Sequence, residues 1–184
     1  MNYEALDFSA GNRNIPGLKP VGYFGFTKDA VTIPEILAEP TTMSEAGVIT
    51  ENIVMKAGKT MYPMYGTLEK LNLKGEAQGE RDSKSKARSI TWKYPDVNAE
   101  AIGFDIMTNN QNMFFVVEDT ASRMRMLGNK SIPAQVSASD DTGTASSDEK
   151  GYTFEIADFG IGAAPIYTGD LPVDSDLMTA GVGL

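Results

Sequence analysis

Between Arg88 and Tyr94 the side chains alternate without a break. Arg88, Ile90, Trp92 and Tyr94 fall on one parity, and Ser89, Thr91 and Lys93 on the other. Successive side chains of an extended strand point to opposite faces, so this segment predicts a strand with one buried and one wet face. The pattern recurs. Tyr152, Phe154 and Ile156 alternate with Thr153, Glu155 and Ala157, and Ile132, Ala134, Val136 and Ala138 alternate with polar or small residues. Pro133 should then lie near a strand start or at an edge. Strands of this kind must bury their apolar faces against another layer, as an antiparallel sandwich or barrel does.

The rest of the chain can be ordered around these strands. Residues 1–18 are polar and turn-rich and read as an N-terminal arm. Residues 21–27 carry Tyr23, Phe24 and Phe26 and favour a strand, with Phe24 and Phe26 on one face. Pro34 allows a single helical turn over 34–38, which Pro40 would stop. Ile53, Val54 and Met55 suggest a short strand in the otherwise weakly patterned stretch 39–63. Residues 65–73, with Tyr65, Thr67, Leu71 and Leu73 on one face, should pair with 88–94 as a long hairpin around a solvated loop, 75–86.

Residues 97–108 predict the one convincing helix. Asp96 would cap it, and Val97, Ala101, Phe104 and Thr108 form its apolar stripe. Gly103 weakens that helix by about 1 kcal/mol relative to alanine. The unbroken apolar run 113–117 reads as a strand buried on both faces. The chain turns over 118–122 and returns over 123–127. A second polar loop spans 139–151, and a short edge strand is expected over 166–168. Residues 171–184 read as a C-terminal arm. The sum is a single mainly β domain over 1–184: seven or eight strands, one flanking α-helix, long loops and terminal arms. No βαβ alternation calls for a parallel sheet.

Composition limits the chemistry. The 184 residues include no cysteine and no histidine, and 16 Lys+Arg against 25 Asp+Glu leave a net charge of −9. Disulfides, thiolate metal sites and cysteine nucleophiles are excluded, as are Ser-His-Asp triads. The charge opposes tight wrapping of nucleic acid. No apolar run is long enough for a membrane-spanning helix, and no signal peptide is visible at the start. A soluble, acidic domain poor in catalytic side chains is expected, with no cofactor implied.

Three local motifs read as ordinary surface. Gly58-Lys59-Thr60 ends like a phosphate-binding loop, but Ile53 stands where that loop needs its first glycine, and Pro63 blocks the following helix. Ser83 and Lys86 have the spacing of acylating serine enzymes, yet they sit in a run of charges. Asp140, Asp141 and Asp148 share one loop, and Asp170, Asp174 and Asp176 another. Neither set has the spacing of a calcium loop, and solvated carboxylates are expected. The basic stretch Lys84, Lys86, Arg88 suits a hairpin tip or a contact with acidic residues of a neighbouring subunit. Arg123 and Arg125 alternate with Met124 and Met126, as on a half-buried strand or at an interface, where arginine is enriched.

The order of helix, apolar strand, tight turn and returning strand over 97–127 leads into RMRMLGN (123–129), TGTASSDEKGYTFEI (142–156) and APIYTGDL (164–171). Over 92–171 this resembles the tail tube proteins of tailed bacteriophages. The resemblance implies a β-sandwich or barrel flanked by a helix, with six copies in a ring whose inner sheets line one channel. Rings would stack through loops and arms, as part of the virion. It implies no catalytic residue, cofactor or metal. The partners would be further copies of the chain and other tail proteins, with DNA only as passing cargo. Candidate channel-facing carboxylates on the outward sides of strands are Glu69, Glu118 and Glu155, each of which could equally be a wet-face residue or pair with Arg123 or Arg125. Candidate contacts between subunits are Lys84, Lys86, Arg123, Arg125, Asp140 and Asp141. The alternatives are another phage structural protein (capsid, decoration or tail-completion subunit) and a carbohydrate-binding β-sandwich.

Overall fold

In the computed structural model, which describes residues 2–6, 8 and 14–174, the chain is mainly β with a single α-helix among the described residues. In chain order the strands are β1 (Leu18–Phe26), β2 (Ala30–Thr32), β3 (Val48–Ile49), β4 (Val54–Met55), β5 (Tyr62–Tyr65), β6 (Asn72–Gln78) and β7 (Ser85–Tyr94). Helix α1 (Ala99–Thr108) follows, then β8 (Met113–Asp119), β9 (Met124–Leu127), β10 (Gln135–Asp141), β11 (Gly151–Gly160) and β12 (Ile166–Tyr167). They form a six-stranded sheet, β3-β12-β9-β8-β1-β5, a four-stranded sheet, β10-β11-β7-β6, and a small β2-β4 pair.

The apolar run on β8 explains the layering. Met113, Phe114, Phe115, Val116 and Val117 are all fully buried. Because side chains alternate, Met113, Phe115 and Val117 face one way and Phe114 and Val116 the other. The first set joins Ile90, Trp92, Phe154 and Ile156 of the four-stranded sheet in the core between the sheets. The second set meets Ile33, Ile49, Ile53, Met61 and Tyr167 in a separate core on the far side. The weakly patterned stretch 39–63 thus supplies a layer that covers the six-stranded sheet from outside. Buried Tyr167 pins that layer: its hydroxyl accepts the Ile53 N–H at 3.0 Å and donates to the Asp170 carbonyl at 2.7 Å.

Trp92 anchors the inner core. Its indole N–H donates to the Tyr65 carbonyl at 2.9 Å. Gly66 lies so close that a Cβ there would stand 2.6 Å from both the indole and Leu71. Phe104 of α1 sits between Phe24 and Phe154, with ring centroids 5.0 Å from each. The helix thereby closes one side of the sandwich.

Several expectations need correction. The helix begins at Ala99, and its cap is Asn98, whose side-chain oxygen accepts the Ala101 N–H at 2.9 Å. Asp96 instead accepts the Val97 N–H and pairs with Lys150 at 2.6 Å. Residues 34–38 form no helical turn. Ile33 and Pro34 are buried, and Lys130 and Ser131 tie down Val31 and Glu35, so the segment is held against the body of the fold. Residues 65–73 are not one strand. The chain leaves β5 in the larger sheet and crosses to β6 in the smaller one, bonding through Gly66 to Pro20 and through Thr67 to Lys93.

Both polar loops are shorter than expected, because β6 runs to Gln78, β7 starts at Ser85 and β10 continues to Asp141. Strand β12 is no edge. It lies between β3, to which it runs parallel, and β9. Residues 171–173 are not a free arm, since Leu171 and Val173 pack on the outer core and the Met61 N–H donates to the Pro172 carbonyl at 2.9 Å. The remainder of that segment, 175–184, lies outside the described residues. At the other end Leu18 is buried and opens β1, and the Asn2 N–H donates to the Thr41 carbonyl. Among the described residues twelve strands replace the seven or eight expected, the additions being mostly two- or three-residue pairings with no alternation to read.

Candidate assembly surface

The four-stranded sheet turns one face to the core, and among the described residues the other face is bare. Cross-strand partners share a face, so the register identifies the bare one. On β10 it carries Gln135, Ser137, Ser139 and Asp141, and on β11 Thr153, Glu155, Ala157 and Phe159. On β7 it carries Ala87, Ser89, Thr91 and Lys93, and on β6 Asn72, Lys74, Glu76 and Gln78. Apart from Phe159 at one end, this face holds no large apolar side chain. Its charges nearly balance: Lys74 and Lys93 face Glu76, Glu155 and Asp141. Thr91 donates to Glu155 at 3.0 Å, and Lys74 pairs with Glu76 at 2.5 Å.

The two edges of this sheet are as notable as its face. Strands β10 and β6 each have seven residues, contain no proline and pair with their neighbours without a register shift. Natural sheets usually blunt such edges with short strands, proline or bulges. The six-stranded sheet does so: β3 has two residues, and β5, with four, contains Pro63. Long, regular edges on one sheet only mark it as the side able to take a further strand.

The sequence candidates fall in different places. Glu155 lies on the bare face. Glu118 lies on β8 of the other sheet, bound by Lys19 at 2.6 Å. Glu69 is on no strand: it occupies the turn between β5 and β6 in a left-handed conformation, φ 67°. The three carboxylates therefore share no surface. Lys84 is exposed in the β6–β7 turn, and Lys86 is half-buried on β7. Asp140 and Asp141 end β10.

Arg123 and Arg125 converge on one carboxylate, with Nε atoms 3.0 and 3.5 Å from Asp119 Oδ2. Arg125 also donates to the Ala164 carbonyl at 3.1 Å. Partial burial by itself would raise the Asp119 pKa, but the backbone N–H groups of Arg123 and Ala121 and the Arg123 charge hold it below the usual carboxylate value.

The remaining motifs are structural. Gly58 lies inside the turn that the Lys59 N–H closes onto the Lys56 carbonyl, and strand β5 follows it, not a helix. The Ser83 N–H closes the β6–β7 turn onto the Glu80 carbonyl. Asp148 accepts the N–H groups of Thr144 and Ala145, which holds its loop, and the Asp170 N–H donates to Asn52. Asp176 lies outside the described residues. Among the described residues no group of three acidic side chains could hold a metal ion, and no helix is long and apolar enough to cross a membrane.

Sequence reasoning missed one pair. Arg88 and Asp158 form a bidentate ion pair, 2.7 and 2.5 Å, on the core side of the sheet. Asp158 also accepts the buried Gly128 N–H at 2.8 Å, tying the end of β9 to the smaller sheet. The signal was present in the alternation: Arg88 and Asp158 each fall on the apolar parity of their own strand, and the register sets them directly opposite.

No family model matches this chain, no curated protein is similar to it, and no solved structure matches its fold. What the geometry defines is a class: a mainly β, two-sheet sandwich with one flanking helix.

Proposed function

We propose that this chain is a structural subunit that joins copies of itself head to tail through the four-stranded sheet, forming rings that stack into a bacteriophage tail tube. The observation that carries the reading is the pair of open edges. An antiparallel sheet of four strands has edge strands that run in opposite directions. A neighbour brought in by rotation alone can therefore lay its β10 along β6 and keep the antiparallel alternation. Such a heterologous contact closes into a ring when the rotation closes, and closure removes the free edges.

The bare polar face would then line the bore. Serine, threonine, glutamine and two lysines set among three carboxylates offer DNA phosphates no continuous cationic track, in keeping with passage and not retention. The chain's overall charge adds a repulsive far field. A carbohydrate-binding role has less support, because the sole tryptophan is fully buried and cannot serve as a stacking platform.

Electron microscopy and sedimentation of the purified chain at rising concentration test the reading. Six-fold rings or tubes are expected. Closed shells would redirect it to a capsid role, and a monomer at every concentration would overturn it.

A further inference from the structure

The two open edges carry opposite charge. Beside β6 the gap between the sheets widens into a cleft of about 310 Å³, whose wall includes Leu73, Lys74, Gly75, Asp119, Arg123 and Arg125. One carboxylate, Asp119, serves both guanidiniums there, so the cleft keeps an uncompensated positive charge within a chain of net −9. At the opposite edge Asp140 is exposed, and its cross-strand partner is Tyr152, a core-facing residue. Asp140 therefore projects on the core side of the sheet, the same side as the cleft. Asp105 of α1 stands nearby. After burial, the charges of Asp140 and Asp105 are what push the Tyr152 phenol up. Among the described residues neither aspartate has a cation within ion-pair distance.

We propose that Asp140 of one copy enters the Arg123–Arg125 cleft of the next, and that this contact sets both the register and the polarity of assembly. The inference rests on the head-to-tail reading above and names the residues that would carry it. Laid end to end in antiparallel fashion, seven-residue β10 and seven-residue β6 place Asp140 opposite Leu73. A slip of two residues places it opposite Gly75, which also lines the cleft. A slip of one would set core-side Asp140 opposite Asn72 or Lys74, whose side chains lie on the bare face, so the pleats of the two joined sheets would not match and that register is disfavoured. Polarity follows from sign. Two acidic edges repel each other, as do two basic ones, which leaves the heterologous contact that closes rings and excludes a two-fold dimer through either edge.

Asp140 is exposed, so Asp140→Lys should fold as the wild type does, with an unchanged thermal melt. Its half-assembly concentration in sedimentation should rise at least about tenfold, because like charges would meet in the cleft. Raising salt from ~0.05 to ~0.5 M should weaken wild-type assembly and strengthen that of the variant. Adding Arg123→Glu to Asp140→Lys should recover part of the loss. Assembly of Asp140→Lys at the wild-type concentration and salt dependence overturns the contact and leaves the ring reading standing. A folded double variant with no recovery assigns Asp140 another partner and likewise overturns the cleft. A wild-type chain that never assembles overturns the ring reading and the contact together.

Discussion

The two sheets of this sandwich are finished differently. The six-stranded sheet is covered on both faces, by the inner core on one side and by the layer built from 27–61 and 171–173 on the other. Its edges are short or carry proline. The four-stranded sheet is covered on one face only, and its edges are long, regular and unpaired among the described residues. The contrast separates two tasks. A sheet buried on both faces is tied into the fold by packing. A sheet with a bare polar face and open edges has unused backbone donors and acceptors, which only a further strand or water can satisfy.

That contrast can be probed by substitution. The largest effects belong to the two cores. Trp92→Ala should cost about 3–5 kcal/mol in denaturant unfolding, and Phe114→Ala on the far side of the larger sheet should cost a comparable amount. A loss below ~1 kcal/mol for Phe114→Ala would mean that the outer layer is a loose cover and that the larger sheet is effectively one-sided. Next comes Asp158→Asn. Removing one member of a buried pair leaves Arg88 uncompensated, for about 3 kcal/mol, read by the same unfolding curve. A small loss there would show that the sheets are held by apolar packing alone.

Gly22→Ala tests how closely the sheets approach. A Cβ at Gly22 would stand 2.8 Å from the Trp92 ring and 3.2 Å from Val117, so overpacking of about 1–3 kcal/mol is expected. Asn98→Ala removes the helix cap and should lower the melting midpoint by the equivalent of about 1 kcal/mol. The smallest effects should come from the bare face. Ser89→Ala and Ser137→Ala should change stability by less than about 0.5 kcal/mol. A large loss at either position would show that this face is packed against something and would break the contrast between the sheets.

The strands with unbroken alternation were legible because their pattern is local. Ile90, Trp92, Phe154 and Ile156 are buried, as their parity requires, and 113–117 is buried on both faces, as its unbroken apolarity requires. Strand β6 was not legible over its full length. Its sequence, NLKGEAQ, is poor in β-formers and is extended because it pairs with β7 over seven residues. The outer layer was hidden for a similar reason. Two-residue strands such as β3 and β4 have no period to detect, and the contact that pins the layer joins Ile53 to Tyr167, 114 positions apart.

The candidate surface divides along the same line. Which side chains of β7, β10 and β11 face outward follows from the pleat of each strand and can be read residue by residue, as Glu155 was. Whether an outward face stays bare, whether an edge stays open, and which charges meet across the sheets depend on which strands lie side by side. Chain closure over long separations settles those matters, as it does for Arg88 and Asp158, 70 positions apart. Parity is a property of one strand, whereas adjacency belongs to the whole fold. The alternation therefore told which residues are inside, and the folded arrangement alone left the outer edges of β6 and β10 without a strand partner among the described residues.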